Sequence, residues 1–451
     1  MAKARKARKP DYLKLTLAAL EADDLARANQ ILTDLHPADI ARVLEGLPPE
    51  RREAVWKGIE VGKMGEVLLE LSESIRSELL AVLDDQTVIA AVRDLDTDDI
   101  ADLIPELSDS LIAEILFALD KQDRQRLDTA LSFGDDTAGG LMDLDVVTVR
   151  ENITVEVVLR YLRRRGELPE HTDKLFVVNR ADRLRGVLPL AKLLTTDAKK
   201  RVAQIMDREV IKFPAQTPDR EVADAFERYN LVSAPVVDES DRLLGRITVD
   251  DAVDVIREEA DREIFQLAGL REGEDLFATV WQTVRNRWPW IAINLVTAFI
   301  ASRVVGLFEG TIERLVALAS LMPIVAGVGG NTGNQTITMI VRALALGRIS
   351  DVNARALFAK EIGVSLLNGL VWGGLLGAIA YFLYNSVPLG LVMTAAVTLN
   401  LMLAAVAGVL IPLVRYRLGR DPAQGSSVMI TAITDSGGFF IFLGLATLAL
   451  L

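Results

Sequence analysis

Apolar residues recur at three- and four-residue steps through the first part of the chain: Ile40, Val43, Leu44 and Leu47, then Val67, Leu68 and Leu71, then Ile100, Leu103, Ile104 and Leu107. Pro37, Pro48, Pro49, Asp98 and Ser108 interrupt the pattern, as caps and turns do between helices. LHPADIARVLEGL at 35–47 echoes LDTDDIADLIPEL at 95–107. The spacing predicts short helices over 12–132, stacked as a small superhelix. Far along the chain the pattern is different, because charge nearly disappears. Residues 288–302, 315–341 and 362–414 carry no charged side chain, and 422–451 carry one, Asp435. At about 20 residues per crossing, these runs predict five membrane-spanning helices, with Asn385-Ser386-Val387-Pro388 as the turn inside the longest run.

Between the two regions lies a duplication. GGLMDLDVVTVRENITVEVVLRYL followed by KLFVVNRADRLRGVLPLAKLL parallels AQIMDREVIKFPAQTPDREVADAFERY followed by SAPVVDESDRLLGRITVDDAVDVI. Each copy reads as a β-rich run, an amphipathic helix, two strands joined by a polar turn, and a second helix. Met142 maps to Met206, Val178 to Val237 and Gly186 to Gly245. This arrangement resembles a tandem pair of CBS domains. The expected organisation is therefore a multidomain membrane protein: an N-terminal acidic α-helical superhelical domain at 1–137, a tandem CBS (α/β) pair at 138–258, a linker helix at 259–287, and a five-helix transmembrane domain at 288–451.

Charge divides the chain in the same way. Of 63 acids and 50 Lys and Arg residues, only 6 acids and 9 bases lie in 288–451, so the first part carries a charge of −16 and the second +3, within a net −13. That acidity excludes nucleic acid as a partner, since phosphate binding needs clustered Lys and Arg. The absence of Cys excludes thiolate metal sites, and two His, His36 and His171, exclude a His-rich zinc or copper site. Any metal must be held by oxygen, which points to hard cations. No Ser/His/Asp triad, Walker loop or paired catalytic carboxylate is visible, so the chain is not expected to be an enzyme. The basic start, Lys3 to Lys9, has no apolar run after it and is not a signal peptide. Arg342, Arg348, Arg355 and Lys360, then Arg415, Arg417 and Arg420, lie in the second and fourth loops. This predicts an inner-membrane protein with its N-terminus and soluble domains cytoplasmic and its C-terminus outside. Trp288 and Trp290 read as interfacial anchors.

Two features carry candidate chemistry. Asp435, in TAITDSGGFF, is a lone carboxylate in a span, at a cost of roughly 2.5–3.5 kcal/mol on insertion scales. It is either a cation site on a wet path or a structural acid bonded to neighbouring hydroxyls or an Arg. The second is PIVAGVGGNTGNQT at 323–336, where Pro323 and four glycines predict a weakened helix with freed carbonyls lining a cavity. Asn331, Asn334 and Gln335 add amide oxygens. Gly329 and Gly333, at GxxxG spacing, could equally pack a neighbouring helix.

GGNTGNQ at 329–335, WPWIAINLVTAFIA at 288–301, KEIGVSLLNG at 360–369 and the late Asp435 resemble the MgtE family of magnesium channels, as does the order of domains. The resemblance implies a homodimer in membrane lipid, with a central pore selective for Mg²⁺ and closed by cytosolic Mg²⁺, and no protein substrate. It places the pore carboxylate on Asp435 and the Gly-Gly-Asn filter on Gly329, Gly330 and Asn331. It places sensing acids on Glu66, Asp98 and Asp102, and on Asp251, Asp254 and Glu259. Where many members have an Asn-Pro or Gly-Pro pair, this chain has Ser427-Val428, whose hydroxyl can still hold a hydrated ion. Thr217-Pro218-Asp219-Arg220 and Asn230 lack acids expected in the second CBS unit. CBS units that hold adenosine ligands often carry Gly-x-x-Thr-x-x-Asp. Gly245, Thr248 and Asp251 match it, so ATP is a candidate ligand, while Asp251 is claimed by both roles. Two rival readings stand beside magnesium transport: transport of another divalent cation such as Co²⁺ or Ni²⁺, and a non-conducting nucleotide sensor anchored by its spans.

Overall fold

A computed structural model of the chain describes residues 11–93, 95–119, 121–270, 275–345, 347–349 and 353–451; the side chains of Asp98, Lys121, Gln122 and Asp123 lie outside the described residues. The chain divides into two compact units, Met1–Ala260 with Asp275–Ala278, and Asp261–Glu274 with Thr279–Leu451.

The first unit opens with ten helices, α1 to α10, from Tyr12–Glu21 to Lys121–Ala130. Side chains at Asp11, Asp24, Asp84 and Ser108 accept from backbone N–H groups one turn on, supplying acceptors to orphan donors at helix starts. Pro37 and Pro49 stand at first helical positions, where a missing N–H costs nothing. Ile40, Val43, Leu44, Leu47, Val67, Leu68, Leu71, Ile100 and Leu103 share one core with Trp56, as their spacing predicts. Inside that core sits Arg52 of α4 (Pro49–Trp56), whose guanidinium has no solvent access. It donates to Leu44 O at 3.0 Å and Leu47 O at 2.9 Å, and pairs with Glu78 at 2.8 Å and Asp275 at 2.9 Å.

The duplicated region forms two three-stranded sheets. In the first, β1 (Thr148–Arg150) lies parallel to β2 (Lys174–Val178), which pairs antiparallel with β3 (Leu184–Pro189). In the second, β4 (Phe213–Pro214), β5 (Ser233–Val237) and β6 (Leu243–Thr248) repeat that order. α11 (Val155–Arg165) and α14 (Asp219–Tyr229) cross over from first to second strand, while the short α12 (Leu190–Thr195) and α13 (Val202–Ile205) connect the copies. The copies exchange their leading segments: Asp143, ahead of β1, bridges to Arg246 of β6, and Asp207, ahead of β4, bridges to Val187 of β3. Gly186 and Gly245, matched by the duplication, are where these segments approach. A side-chain carbon at either would lie 2.4 Å from Asp207 O or 2.7 Å from Asp143 O.

α15 (Val249–Ala268) runs without a break from the end of the second copy. A linker helix at 259–287 is thus not a separate element. No Gly or Pro interrupts 249–268, and the helix ends at Gly269, whose φ of +70° favours glycine. α16 (Val280–Gly306) then starts on its Thr279 cap, ahead of residue 288.

The rest of the second unit is helical: α17 (Glu309–Arg314), α18 (Ala317–Ala345), α19 (Ala354–Asn368), α20 (Gly374–Tyr384), α21 (Val387–Arg417) and α22 (Ser426–Leu450). A π turn at Gly369–Gly373 joins α19 and α20 into one rod, Ala354–Tyr384. Among the described residues, four helices are long and apolar enough to cross a membrane: α16, the Ala354–Tyr384 rod, α21 and α22. The chain has the multidomain membrane architecture its sequence predicts. The helix expected over 315–341 is present as α18, 29 residues long, but Asn331, Thr332, Asn334 and Gln335 leave it outside that set. α18 is also continuous through Pro323 and its glycines, so the expected irregular backbone is not found. Packing explains this: Gly329 and Gly333 are buried contact points for side chains of α21 and α22.

Candidate ion path and cytosolic cation sites

Asp435 sits half-buried in the middle of α22. Its neighbouring hydroxyls are committed elsewhere, Thr431 Oγ1 to Ser427 O at 3.0 Å and Thr434 Oγ1 to Ile430 O at 2.9 Å. Hydroxyls in a helix satisfy themselves on the preceding turn in this way. Among the described residues, no hydrogen bond or ion pair reaches the Asp435 carboxylate. The reading as a structural acid tied to hydroxyls or an Arg therefore has no support within one chain. Ser427, Thr431 and Asp435 follow at four-residue steps and share a helix face.

α18 supplies the opposite wall. Ser427 Oγ donates to Asn334 Oδ1 at 2.9 Å, joining two candidate residues 93 positions apart. Gly327, Asn331, Gln335 and Thr338 are exposed along one side of α18. A stripe of amides and a hydroxyl facing hydrocarbon would leave polar groups unsatisfied, so this face needs water or protein against it. Gly329 is on the other side. A side-chain carbon there would lie 2.2 Å from Asn400 Nδ2 of α21, and one at Gly333 would lie 2.4 Å from Ile430 Cγ1. Gly330 faces Thr434 Oγ1 at a looser 3.6 Å. Gly329 thus acts in packing, whereas Asn331 reaches the open face.

The acidic residues of the first unit are distributed unevenly. α8 (Thr97–Leu103) carries Asp99 and Asp102, and α15 opens with Asp250 and Asp251. The four acids lie close enough for each set to feel the other's charge. Burial, then Asp102 and Asp96, then Asp251 and Asp250, push the Asp99 carboxyl up to about 7. Burial raises Asp102 as well, against the opposing Arg76, and Asp251 adds to the rise; one side of Asp102 stays open to solvent. Burial and Asp250 push Asp251 up to about 6, opposed by its hydrogen bonds from Thr248. Those bonds are a helix cap: Asp251 Oδ2 accepts from Thr248 N–H at 3.0 Å and from its hydroxyl at 2.9 Å, and the hydroxyl also touches Asp250. Thr248 and Asp251, matched to a nucleotide motif, are thus bonded to each other. Asp254 follows one turn further on α15, exposed, and its carboxyl is raised by burial against Arg257. Glu259 pairs with Arg220 at 2.8 Å. Glu66 is exposed on α5 (Val61–Leu69). The Asp98 side chain lies outside the described residues. Among the described residues, no three carboxylates or histidines converge as a ready metal site.

The sequence reading missed two residues, Asp99 and Asn400, and gave a third, Trp290, a different role. Asp99, next to Asp98, is the half-buried acid of α8. Asn400 is the buried amide behind Gly329; as the only Asn within the apolar α21 it carried a signal. Trp290 spans two glycines of left-handed conformation, its ring 3.1 Å from a side-chain carbon at Gly269 and 3.1 Å from one at Gly425, the residue that opens α22. It is a contact between the end of α15 and the start of α22, beside the anchoring role read from the sequence. Leu267 of α15 packs near it, on the cluster formed by Ile337, Val341, Ala407, Ile411, Ala423 and Ile430.

Residues 322–445 match the MgtE family model, described as a divalent cation transporter; 35–136 match the MgtE intracellular N domain, and 138–198 and 202–258 match CBS domains. The chain is 34% identical over 441 residues to the magnesium transporter MgtE of Thermus thermophilus, covering 96% of this chain and 97% of that one. It is 27% identical over 438 residues to the magnesium transporter MgtE of Bacillus subtilis, covering 97% of each. Among solved structures, the cytosolic domain of the Mg²⁺ channel MgtE in complex with ATP is 34% identical, covers 54% of this chain and 99% of that chain, and has a TM-score of 0.49.

Proposed function

The chain belongs to the MgtE family of divalent cation transporters, and on that premise we propose that it carries Mg²⁺ across a membrane and is closed by Mg²⁺ on its cytosolic side. The observation that carries the reading is Asp435: a carboxylate with no partner among the described residues, halfway along an otherwise uncharged span. A charge in that position needs a counter-ion or water, and a cation path supplies both.

Mg²⁺ gives up its water reluctantly and takes octahedral oxygen at about 2.0–2.1 Å. A site with one carboxylate per chain, beside Ser427, Asn331 and Asn334, suits the ion with its waters retained. These oxygens accept from bound water, and the carboxylate offsets the charge at long range. In this reading α18 is a fifth span, and its exposed amide face meets the same face of a second copy. The homodimer axis then runs between two Asp435 residues. The basic loops at Arg342–Lys360 and Arg415–Arg420 support a cytoplasmic N-terminus and cytoplasmic soluble domains.

Closure is assigned to the acids of the first unit. Asp99 and Asp102 repel Asp250 and Asp251 when all are ionised. Cytosolic Mg²⁺ between them, with Asp254 and Glu259 at the margin, cancels that repulsion and favours the closed arrangement. The signal reaches the path through α15, whose end bears on α18, α21 and α22 through Leu267 and on Gly425, the cap of α22, through Trp290.

The test is Mg²⁺ influx into liposomes that contain the full chain and an internal Mg²⁺ dye. Native protein should admit Mg²⁺ when Mg²⁺ is absent from the cytosolic face, and Asp435→Asn should not. A native chain that admits no Mg²⁺ under those conditions would overturn the proposal. Native influx that Asp435→Asn leaves unchanged would overturn the role of the carboxylate.

A further inference from the structure

Asn400 stands in α21, the most deeply buried of the spans, and has no solvent access at all. Its Nδ2 donates to Val325 O of α18 at 2.9 Å. Its Oδ1 is equally buried and has no partner among the described residues. The amide fills a gap left by two glycines on two different helices. A side-chain carbon at Gly329 of α18 would lie 2.2 Å from Asn400 Nδ2, and one at Gly438 of α22 would lie 2.6 Å from the same atom. Gly329 opens the Gly329-Gly330-Asn331 run, and Gly438 follows Asp435 by one helical turn. A single side chain of a third helix is therefore wedged between the two helices that carry Asn331 and Asp435, level with both.

Packing alone does not explain an amide here. Leu has the same branched heavy-atom outline, and it would avoid both the buried Oδ1 and the desolvation of the amide. What the amide adds is direction: the bond to Val325 O fixes the rotation and height of α18 one turn before Gly329. We infer that Asn400 is a positioning residue for the ion path, setting the separation of the Asn331 and Asp435 walls and thereby the preference for Mg²⁺ over other divalent cations. This inference rests on the ion-path reading. A hydrated ion is judged by the width of its cage, so a wall shifted by a fraction of an ångström alters which ion fits before it alters whether ions pass.

The experiment compares Mg²⁺ and Co²⁺ influx into liposomes for native chain, Asn400→Leu, Gly438→Ala and Asp435→Asn, at equal amounts of folded protein. Asn400→Leu keeps the branched outline, adds bulk and removes the bond; Gly438→Ala pushes on the same amide from α22. Both should lower the Mg²⁺-to-Co²⁺ ratio by about tenfold, the scale of one lost buried hydrogen bond, while Asp435→Asn abolishes influx of both ions. If Asn400→Leu does not fold, Gly438→Ala decides. Variants with altered melting temperature or total influx but a native ratio would overturn the inference, because a merely structural Asn400 behaves that way. Native protein that admits neither ion would overturn the ion-path reading and the inference with it. A native ratio in both variants, with Asp435→Asn inactive, would sink the inference alone.

Discussion

Ser427 of α22 and Asn334 of α18 are joined side chain to side chain, hydroxyl to amide oxygen, at 2.9 Å. The bond lies on the polar face that also carries Asp435, and it ties the start of α22 to the middle of α18. Ser427→Ala should lower the stability of the second unit by about 1 kcal/mol, the usual net worth of one such bond. Mg²⁺ influx should fall by less than in Asp435→Asn, because Asn334 remains. Thermal melting in detergent, run beside the liposome assay, checks both outcomes; influx lost as completely as with Asp435→Asn would mean that Ser427 itself holds the ion.

Arg52 grips Asp275 from inside the helical core, and Asp275 stands four residues ahead of the Thr279 cap of α16. Removing one partner of a buried pair leaves an uncompensated charge, so Asp275→Ala should cost about 3–5 kcal/mol. Glu78 and two carbonyls still hold Arg52, which keeps the loss toward the lower end. Urea unfolding followed by tryptophan emission measures it, with Trp56 in that core as reporter. The same variant should need more cytosolic Mg²⁺ for closure.

Asp99, pushed up to about 7, and Asp251, pushed up to about 6, hold protons more tightly in the folded chain than in the unfolded one. Their contribution to stability is complete below the ordinary Asp range and is lost as pH rises toward 7. Without divalent cations, the melting temperature of the first unit should fall between pH 4 and pH 8, over the span bounded by those shifts. Adding Mg²⁺ should flatten the fall at the upper end, where the cation takes over the role of the proton. Asp99→Asn should remove part of the slope, with Asp102 and Asp251 supplying the rest; a slope that survives the triple variant Asp99→Asn, Asp102→Asn and Asp251→Asn would locate the repulsion elsewhere.

Trp290 touches both Gly269 and Gly425. Trp290→Ala should leave influx in Mg²⁺-free internal buffer near native and weaken its inhibition by internal Mg²⁺, because the end of α15 then loses its hold on the start of α22. Dose–response curves for internal Mg²⁺ test this, and an unchanged midpoint would exclude Trp290 from coupling.

The helical core, the duplicated sheets and the apolar spans were legible because each rests on periodicity. Ile40, Val43 and Leu44 recur as a helix requires, and Gly186 matches Gly245 because both receive a neighbouring segment. Periodicity is blind to partnership across the chain. It assigns Met142 to its own copy, whereas the chain lays that segment on the sheet of the other. It treats Pro323 and the glycines of α18 as breakers, whereas side chains of α21 and α22 pack against Gly329 and Gly333 and the helix runs unbroken. Among candidate site residues, Asp435 and Ser427 were visible as polar exceptions in apolar runs. Asp99 was not, because one acid among many neighbours becomes special only through burial, which no local spacing encodes.

The polar middle of α18 has a consequence for biogenesis. A segment with two Asn, a Gln and several Thr and Gly between its apolar ends partitions poorly from the translocon into lipid by itself. Its natural companions, α21 and α22, are synthesised after it. As the fifth span proposed above, α18 would have to wait beside the insertion machinery, or re-enter the bilayer late, until those helices arrive to cover it. The permeation route would then be the last part of the membrane unit to be assembled, and a chain truncated before α22 would leave the cell with a stranded polar helix for its quality-control proteases to find.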